Sequence, residues 1–168
     1  MSLNNNDKNN ELNNTSLTSS ISKIILEFIK ANSNQEHDSR DPFSSKKIPG
    51  IPIDYYIERI KKYSGVEDST LVLTLIYCDK LCGMNNFLIQ PHNIHRLFIS
   101  CCLLAIKFNE DCFYTNEYYA KVGGIDLDEM NYLERSCIEL LNFDLYVNDE
   151  IYENGFYIVI DIMNLILE

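Results

Sequence analysis

Residues 97–108 read LFISCCLLAIKF, and every position in this stretch except Ser100 and Lys107 is apolar. A surface helix carries apolar residues along one face only, whereas a helix that is apolar all round is surrounded by other elements. The stretch therefore predicts the central helix of an all-α domain. The apolar run is also shorter than the ~20 residues that a transmembrane helix needs, so we expect no contact with a membrane.

The segments on both sides of this stretch predict further helices and no strand, because their apolar residues recur every three or four positions. Ile53 to Tyr63 forms one such segment, which Gly65 ends, and Asp68 or Ser69 can cap the next. The predicted helices of the domain span residues 53–63, 68–83, 91–108, 116–122 and 127–142.

The fourth and fifth of these helices are joined by VGGIDLDE, residues 122–129. Gly123 and Gly124 end the fourth helix, since glycine adopts the left-handed conformation at a helix C-terminus at little cost. Asp126 and Glu129 then form an N-terminal capping arrangement that resembles a capping box. The sequence therefore predicts a tight corner between two helices.

The chain divides into four segments. Residues 1–20, rich in asparagine and serine, predict a disordered leader. Residues 21–50 predict a short amphipathic helix and a polar linker, residues 51–147 hold the five-helix domain, and residues 148–168 predict a C-terminal helix that Gly155 weakens.

Two charged side chains lie within apolar patterns. Lys107 stands near the end of the central helix, and Glu134 lies on or beside the apolar stripe of the fifth helix. A buried charge without a partner costs several kcal/mol. Three arrangements remain open: the two side chains pair across the bundle, each extends to solvent, or both emerge at one apolar-ringed patch and hydrogen-bond another protein's backbone.

A second pair of charges lies on the first two helices of the domain. Arg59 stands beside Tyr56 and Ile60, and Asp79 follows the apolar run LVLTLIYC. Arginine is suited to bidentate contacts with carboxylates in partly buried settings. We therefore expect a buried ion pair between Arg59 and Asp79.

Composition narrows the function classes. The 14 basic and 25 acidic residues give a net charge of −11, which argues against a nucleic-acid-binding surface. The six cysteines include no CxxC pair, and free thiols indicate a reducing compartment, the cytoplasm or nucleus. Cys78 and Cys82 are spaced to hold a metal on one helix face, but without a companion pair we interpret them as packing residues.

Catalysis is also not indicated. His92 and His95 stand on the opening turn of the central helix, while the cysteines lie in its apolar part, so no thiol is predicted beside a base. The sequence contains no glycine-rich phosphate loop and no Ser-His-Asp grouping. We expect neither a cofactor nor a metal.

The stretch from about Phe43 to Val147 resembles the cyclins, specifically the Pho-type (P- or U-type) cyclins with one cyclin box. The resemblance is carried by FSSKKIPGIPIDYYIERIKKY, LTLIYCDKL, HNIHRLFISCCLLAIKF, YTNEYYAKVGGIDLDEMNYLE and LLNFDLYV. NEYYAKVGG followed by MNYLE is the most specific of these signatures.

This resemblance implies a five-helix cyclin fold and a regulatory subunit that activates a cyclin-dependent kinase. It implies that Lys107 and Glu134 contact main-chain groups beside the kinase's mobile regulatory helix, with Leu104, Phe108, Ile138 and Leu141 as apolar neighbours. It also implies that Arg59 and Asp79 form a structural ion pair. The alternatives are a cyclin-fold adaptor or a transcription-associated interaction protein that activates no kinase.

Overall fold

The structure, a computed structural model, describes the backbone of residues 5–38 and 40–167 and the side chains of residues 17–38 and 40–161. These residues form seven α-helices and no strand, which confirms the predicted all-α class. The helices are α1 Asn5–Ala31, α2 Ile53–Ser64, α3 Asp68–Asn85, α4 Ile94–Asn109, α5 Asn116–Gly123, α6 Leu127–Leu140 and α7 Asp149–Leu167. Helices α2–α6 form the five-helix domain, with α1 and α7 flanking it.

Helix α4 is the central helix of the domain, as its apolar sequence predicts. From Ile94 to Ile106, only Arg96 is not buried. The helix packs against α2, α3, α5 and α6. Burial of so many large side chains on one helix makes α4 the main contributor to the hydrophobic core.

Helix α4 begins at Ile94, three residues later than predicted, because a buried asparagine organises the turn before it. Asn93 Oδ1 accepts a hydrogen bond from Gln90 N at 2.9 Å. Asn93 Nδ2 donates to Asp41 Oδ2 at 2.6 Å and to Leu88 O at 2.7 Å. These bonds hold residues 90–93 in a turn, so Pro91 precedes the helix rather than opening it.

The corner between α5 and α6 follows the prediction at one glycine but not at the other. Gly124 has φ +70° and caps α5 in the left-handed conformation. Gly123 is still helical, and a Cβ atom there would lie 2.6 Å from Ile99 Cδ1 and 3.2 Å from Tyr56 Oη. Gly123 therefore allows close helix packing instead of providing a left-handed turn.

The N-terminus of α6 is capped by half of the predicted capping arrangement. Asp126 accepts a hydrogen bond from Glu129 N at 2.7 Å. The Glu129 side chain does not return to the cap; its Oε1 accepts from Arg96 Nε at 2.5 Å and so ties α6 to α4.

Helix α1 begins at Asn5, well before residue 21, the start that the sequence pattern predicts. Leu17 and Ile21 lie in the core with Ile24 and Ile25, spaced four and three residues apart along one face. The apolar stripe of α1 thus starts about one turn before the predicted boundary. Of the predicted leader, residues 1–4 and the side chains of residues 5–16 lie outside the described part.

Helix α7 packs against α1 and α3. Gly155 packs closely against α3, since a Cβ atom there would lie 2.9 Å from Ile76 Cδ1. No helix in the described ranges is long and apolar enough to cross a membrane.

Candidate functional site

The two charges that the sequence singled out meet at the surface between α4 and α6. Lys107 Nζ lies 2.6 Å from Glu134 Oε1. The side chains are 30% and 21% exposed, respectively, so the pair is neither sealed in the core nor fully solvated. The structure therefore shows the pairing alternative with part of each side chain exposed. Contact of the pair with another protein stays a prediction.

The second oxygen of the Glu134 carboxylate is held by an asparagine at the start of α5. Asn116 Nδ2 donates to Glu134 Oε2 at 2.7 Å and to Asn131 Oδ1 at 2.8 Å. Asn116 follows the cap Thr115, whose side chain accepts from Tyr118 N. Lys107 and Asn116 together fix the orientation of the carboxylate, one at each oxygen.

Sequence reasoning did not identify Asn116. The residue begins a short helix, where a polar side chain is common and gives no sign of a distant partner. The only available signal was its place in the NEYYAKVGG motif.

Apolar side chains surround the ion pair to different extents. Phe108 is 56% exposed beside Lys107. Leu104 and Ile138 line a shallow depression of about 450 Å³ together with Glu134, Asn131 and Arg135. These residues form what we call the α4–α6 patch: Leu104, Lys107, Phe108, Asn131, Glu134, Arg135 and Ile138.

The predicted apolar neighbour Leu141 does not line this patch. Its side chain is fully buried. Leu141 follows directly after α6, and its N–H donates to Cys137 O as in a helix. Its side chain therefore lies on the same buried face as Cys137, four residues earlier. It is not available for direct contact with another molecule.

The α4–α6 patch offers complementary chemistry to a polypeptide. The Lys107 ammonium can donate to carbonyl oxygens, and the Glu134 carboxylate can accept from N–H groups. Each charged group uses only part of its hydrogen-bonding capacity inside the molecule. A partially buried pair framed by apolar surface fits the hot-spot pattern of protein interfaces.

The expected ion pair between Arg59 and Asp79 is not formed. Both residues are exposed, and Arg59 Nη2 instead donates to Lys121 O at 3.3 Å. The buried stripe of α2 runs through Tyr56, Ile57 and Ile60, so Arg59 lies off that stripe. Ion pairs between sequence-distant segments are made elsewhere, by Lys80 with Asp144 and by Arg96 with Glu129.

Four of the six cysteines are buried packing groups in the core, whereas Cys82 is half-buried and Cys112 is exposed. Cys101 Sγ lies 3.7 Å from Cys137 Sγ, and burial raises the pKa of the Cys101 thiol far above its usual value. Burial also raises the pKa of Cys102 to about 12. Thiols that stay protonated are poor nucleophiles and poor metal ligands. Within the described ranges, no group of three or more potential metal-ligating side chains occurs.

The two histidines of the α4 opening have structural contacts. His95 Nε2 donates to Ile51 O at 2.8 Å, and burial lowers the pKa of the ring. The Tyr56 ring packs against it edge-on, with ring centroids 4.9 Å apart. His92 Nδ1 donates to Ser45 O at 3.1 Å. The two histidines therefore tie the segment 45–51 to the first turn of α4 and to the turn before it.

Comparisons with known proteins agree on one family. The family model described as Cyclin matches residues 3–145. Cyclin-U2-1 of Arabidopsis thaliana is 38% identical over 113 residues, which cover 67% of this chain and 51% of the relative. Cyclin-P3-1 of Oryza sativa subsp. japonica is 41% identical over 124 residues, covering 70% of the chain and 50% of the relative.

A fungal relative gives the same result. The PHO85 cyclin-like protein psl1 of Schizosaccharomyces pombe is 42% identical over 110 residues, covering 64% of the chain and 45% of the relative. The chain thus spans about half the length of the curated relatives that it matches.

Proposed function

Because this chain belongs to the cyclin family, and within it matches relatives named as U- and P-type cyclins, we propose that it is the regulatory subunit of a cyclin-dependent protein kinase. The α4–α6 patch binds the catalytic subunit, and no chemical step occurs on this chain. The partially exposed Lys107–Glu134 pair, framed by Leu104, Phe108 and Ile138, is the observation that carries this proposal.

The role of the patch is to hold the kinase's regulatory helix in its active position. Kinase activity requires a strand lysine paired with the glutamate of that helix. A protein that binds only the helix-in conformation shifts the kinase population toward it by as much as its differential affinity for the two states. Lys107 and Glu134 would contribute that difference by bonding to main-chain groups next to the helix.

Charge and thiol chemistry fit this role. The net charge of −11 disfavours nucleic acid as the partner. The six cysteines are unpaired, which fits a reducing compartment, the nucleus or cytoplasm.

The experiment co-expresses the full chain with members of a panel of cyclin-dependent kinase catalytic subunits and measures co-purification and phosphorylation of a peptide substrate. We expect at least one catalytic subunit to co-purify and to gain activity. The double variant Lys107→Ala with Glu134→Ala should lose both. The matched control removes another partly exposed ion pair, Lys80–Asp144, and should retain both.

Two results would contradict the proposal. Full co-purification and activation by the Lys107–Glu134 double variant would show that the α4–α6 patch is not the binding site. Binding through the patch without any gain in phosphorylation would favour the alternative, an adaptor with the cyclin fold that activates no kinase.

A further inference from the structure

A second surface, which shares no residue with the α4–α6 patch, is an apolar groove of about 850 Å³ between α1, α3 and α7. It opens to solvent along one side. Its apolar lining comes from all three helices and from the loop after α3, and includes Ile24, Phe28, Ile76, Ile151 and Ile158.

Large apolar side chains remain exposed in this groove. Phe28 is 42% exposed, Ile151 50% and Ile158 55%. Contiguous exposed apolar surface of this kind on a folded domain marks a site of interaction. The floor is held in place where Gly155 meets Ile76, so the groove is a built feature of the α3–α7 contact.

The edge of the groove is acidic. Glu27 and Asp79 line it, and neither carboxylate has a hydrogen-bond or ion-pair partner in the described part of the chain. Lys23 is the one basic residue in the lining. Helix α7, which forms one wall of the groove, contains no basic residue over its whole length.

From the apolar floor and the unpaired carboxylates we propose that the groove binds a basic amphipathic helix of another protein. Such a helix would place an apolar stripe, spaced i, i+3, i+4 and i+7, on the floor. Lysine or arginine side chains on its flanks would meet Glu27 and Asp79. Asp79, which does not form the ion pair with Arg59 that the sequence predicts, serves this external role instead.

Other occupants fit less well. A second copy of this chain would bring the same acidic edge against itself in a molecule of net charge −11. An anionic membrane surface would be repelled for the same reason. A small ligand is usually oriented by a few polar groups inside its pocket, whereas here the charged groups lie at the edge.

The test uses the full-length chain and a fluorescein-labelled 18-residue peptide with leucine at i, i+3, i+4 and i+7 and lysine at the other positions. A peptide with glutamate in place of every lysine is the comparison. Fluorescence anisotropy at about 150 mM salt, where surface charges are largely screened beyond ~8 Å, gives both affinities. We expect saturable binding of the lysine peptide and at least about tenfold weaker binding of the glutamate peptide.

Two pairs of variants locate the binding. The double variant Glu27→Lys with Asp79→Lys should lower the affinity for the lysine peptide at least about tenfold. The control, Glu58→Lys with Glu139→Lys, makes the same change in net charge at exposed positions outside the groove. It should change this affinity less than about twofold. Phe28→Ala should weaken binding about fivefold or more, and Phe113→Ala, an exposed phenylalanine of a loop outside the groove, should not.

Equal losses of affinity for the lysine peptide in the groove and control variants would overturn the proposal. They would show that the peptide is attracted only by the overall charge of the protein. Equal binding of both peptides, or no saturable binding, would also overturn it. A concentration-dependent dimer in sedimentation that Phe28→Ala dissolves would assign the groove to a second copy instead. Kinase co-purification by the Glu27–Asp79 double variant should remain normal, which separates this proposal from that for the α4–α6 patch.

Discussion

Lys107 Nζ on α4 lies 2.6 Å from Glu134 Oε1 on α6, and this ion pair remains partly open to solvent. The two residues are 27 positions apart in the chain, so the pair depends on the packing of the central helix against the last helix of the five-helix domain. Its stability is therefore coupled to the fold, while its exposure makes it available to a partner.

The ion pair should matter more for binding than for folding. Partly exposed pairs contribute about 0–1 kcal/mol to stability, so Lys107→Ala should lower the free energy of unfolding by no more than about 1 kcal/mol. Loss of a charge at the centre of an interface costs about 2 kcal/mol or more of binding free energy. Urea unfolding and kinase titration of the same variant measure the two effects. A stability loss larger than the binding loss would show that the pair is mainly structural.

Asn116 should act as a positioning residue for Glu134. Its removal frees one carboxylate oxygen, so Asn116→Ala should weaken kinase binding about three- to tenfold without unfolding the chain. The matched control is Asn85→Ala, which removes another partly buried asparagine with two hydrogen bonds, to Leu81 O and Leu140 O, outside the α4–α6 patch. Calorimetric titration with the kinase compares the two variants. Equal affinities for Asn116→Ala and the wild-type chain would contradict the positioning role.

The two helical glycines Gly123 and Gly83 should respond to alanine in opposite directions. A Cβ atom at Gly123 would lie 2.6 Å from Ile99 Cδ1 in the core, so Gly123→Ala should destabilise the protein by about 1–3 kcal/mol. Gly83 lies within α3 with open space around it, so Gly83→Ala should stabilise by about 0.5–1 kcal/mol. Thermal unfolding of the two variants measures these effects. Unfolding temperatures that shift in the same direction for both variants would contradict the packing account.

Stability should fall as the solution becomes mildly acidic, in part because of His95. Burial lowers the pKa of His95 below its usual value of 6.5, so the unfolded chain takes up a proton at a higher pH than the folded chain does. The stabilising contribution is complete above about pH 6.5 and is lost as the pH falls through the lower folded-state value.

Urea unfolding of the wild type and His95→Gln between pH 7.5 and pH 5 measures this contribution. The substitution should make the free energy of unfolding depend less steeply on pH. An identical pH slope for the two proteins would exclude His95 as a source of the effect.

The sequence predicted the helices well because their signals are local. The all-round apolar pattern of 97–108 identified α4 as central, and Thr115 and Asp126 marked the starts of α5 and α6. Lys107 and Glu134 stand out in the sequence as candidate site residues because each interrupts an apolar pattern. Such interruptions are visible within a single helix and require no knowledge of packing.

Contacts between helices were predicted less well, because they depend on rotation and crossing geometry. Arg59 lies off the buried stripe of α2 and bonds to Lys121 O rather than to Asp79. The sequence explains Gly123 only as a left-handed helix end, whereas the structure requires glycine there because a Cβ atom would clash with Ile99 of α4. The Asn116–Glu134 bond joins two helices across the α5–α6 corner, and no spacing rule indicates it.

The most direct test of the central claim places a photo-crosslinking benzoylphenylalanine at Phe108, the exposed aromatic side chain of the α4–α6 patch, and at Tyr157 of α7 as the control. Each labelled chain is mixed with a kinase catalytic subunit that the unlabelled chain activates, and the mixture is irradiated. The crosslinked peptides are then identified by mass spectrometry. The account predicts that position 108 captures the regulatory helix of the kinase or the main chain beside it, and that position 157 captures neither. Capture of that helix from position 157, with none from position 108, would contradict it.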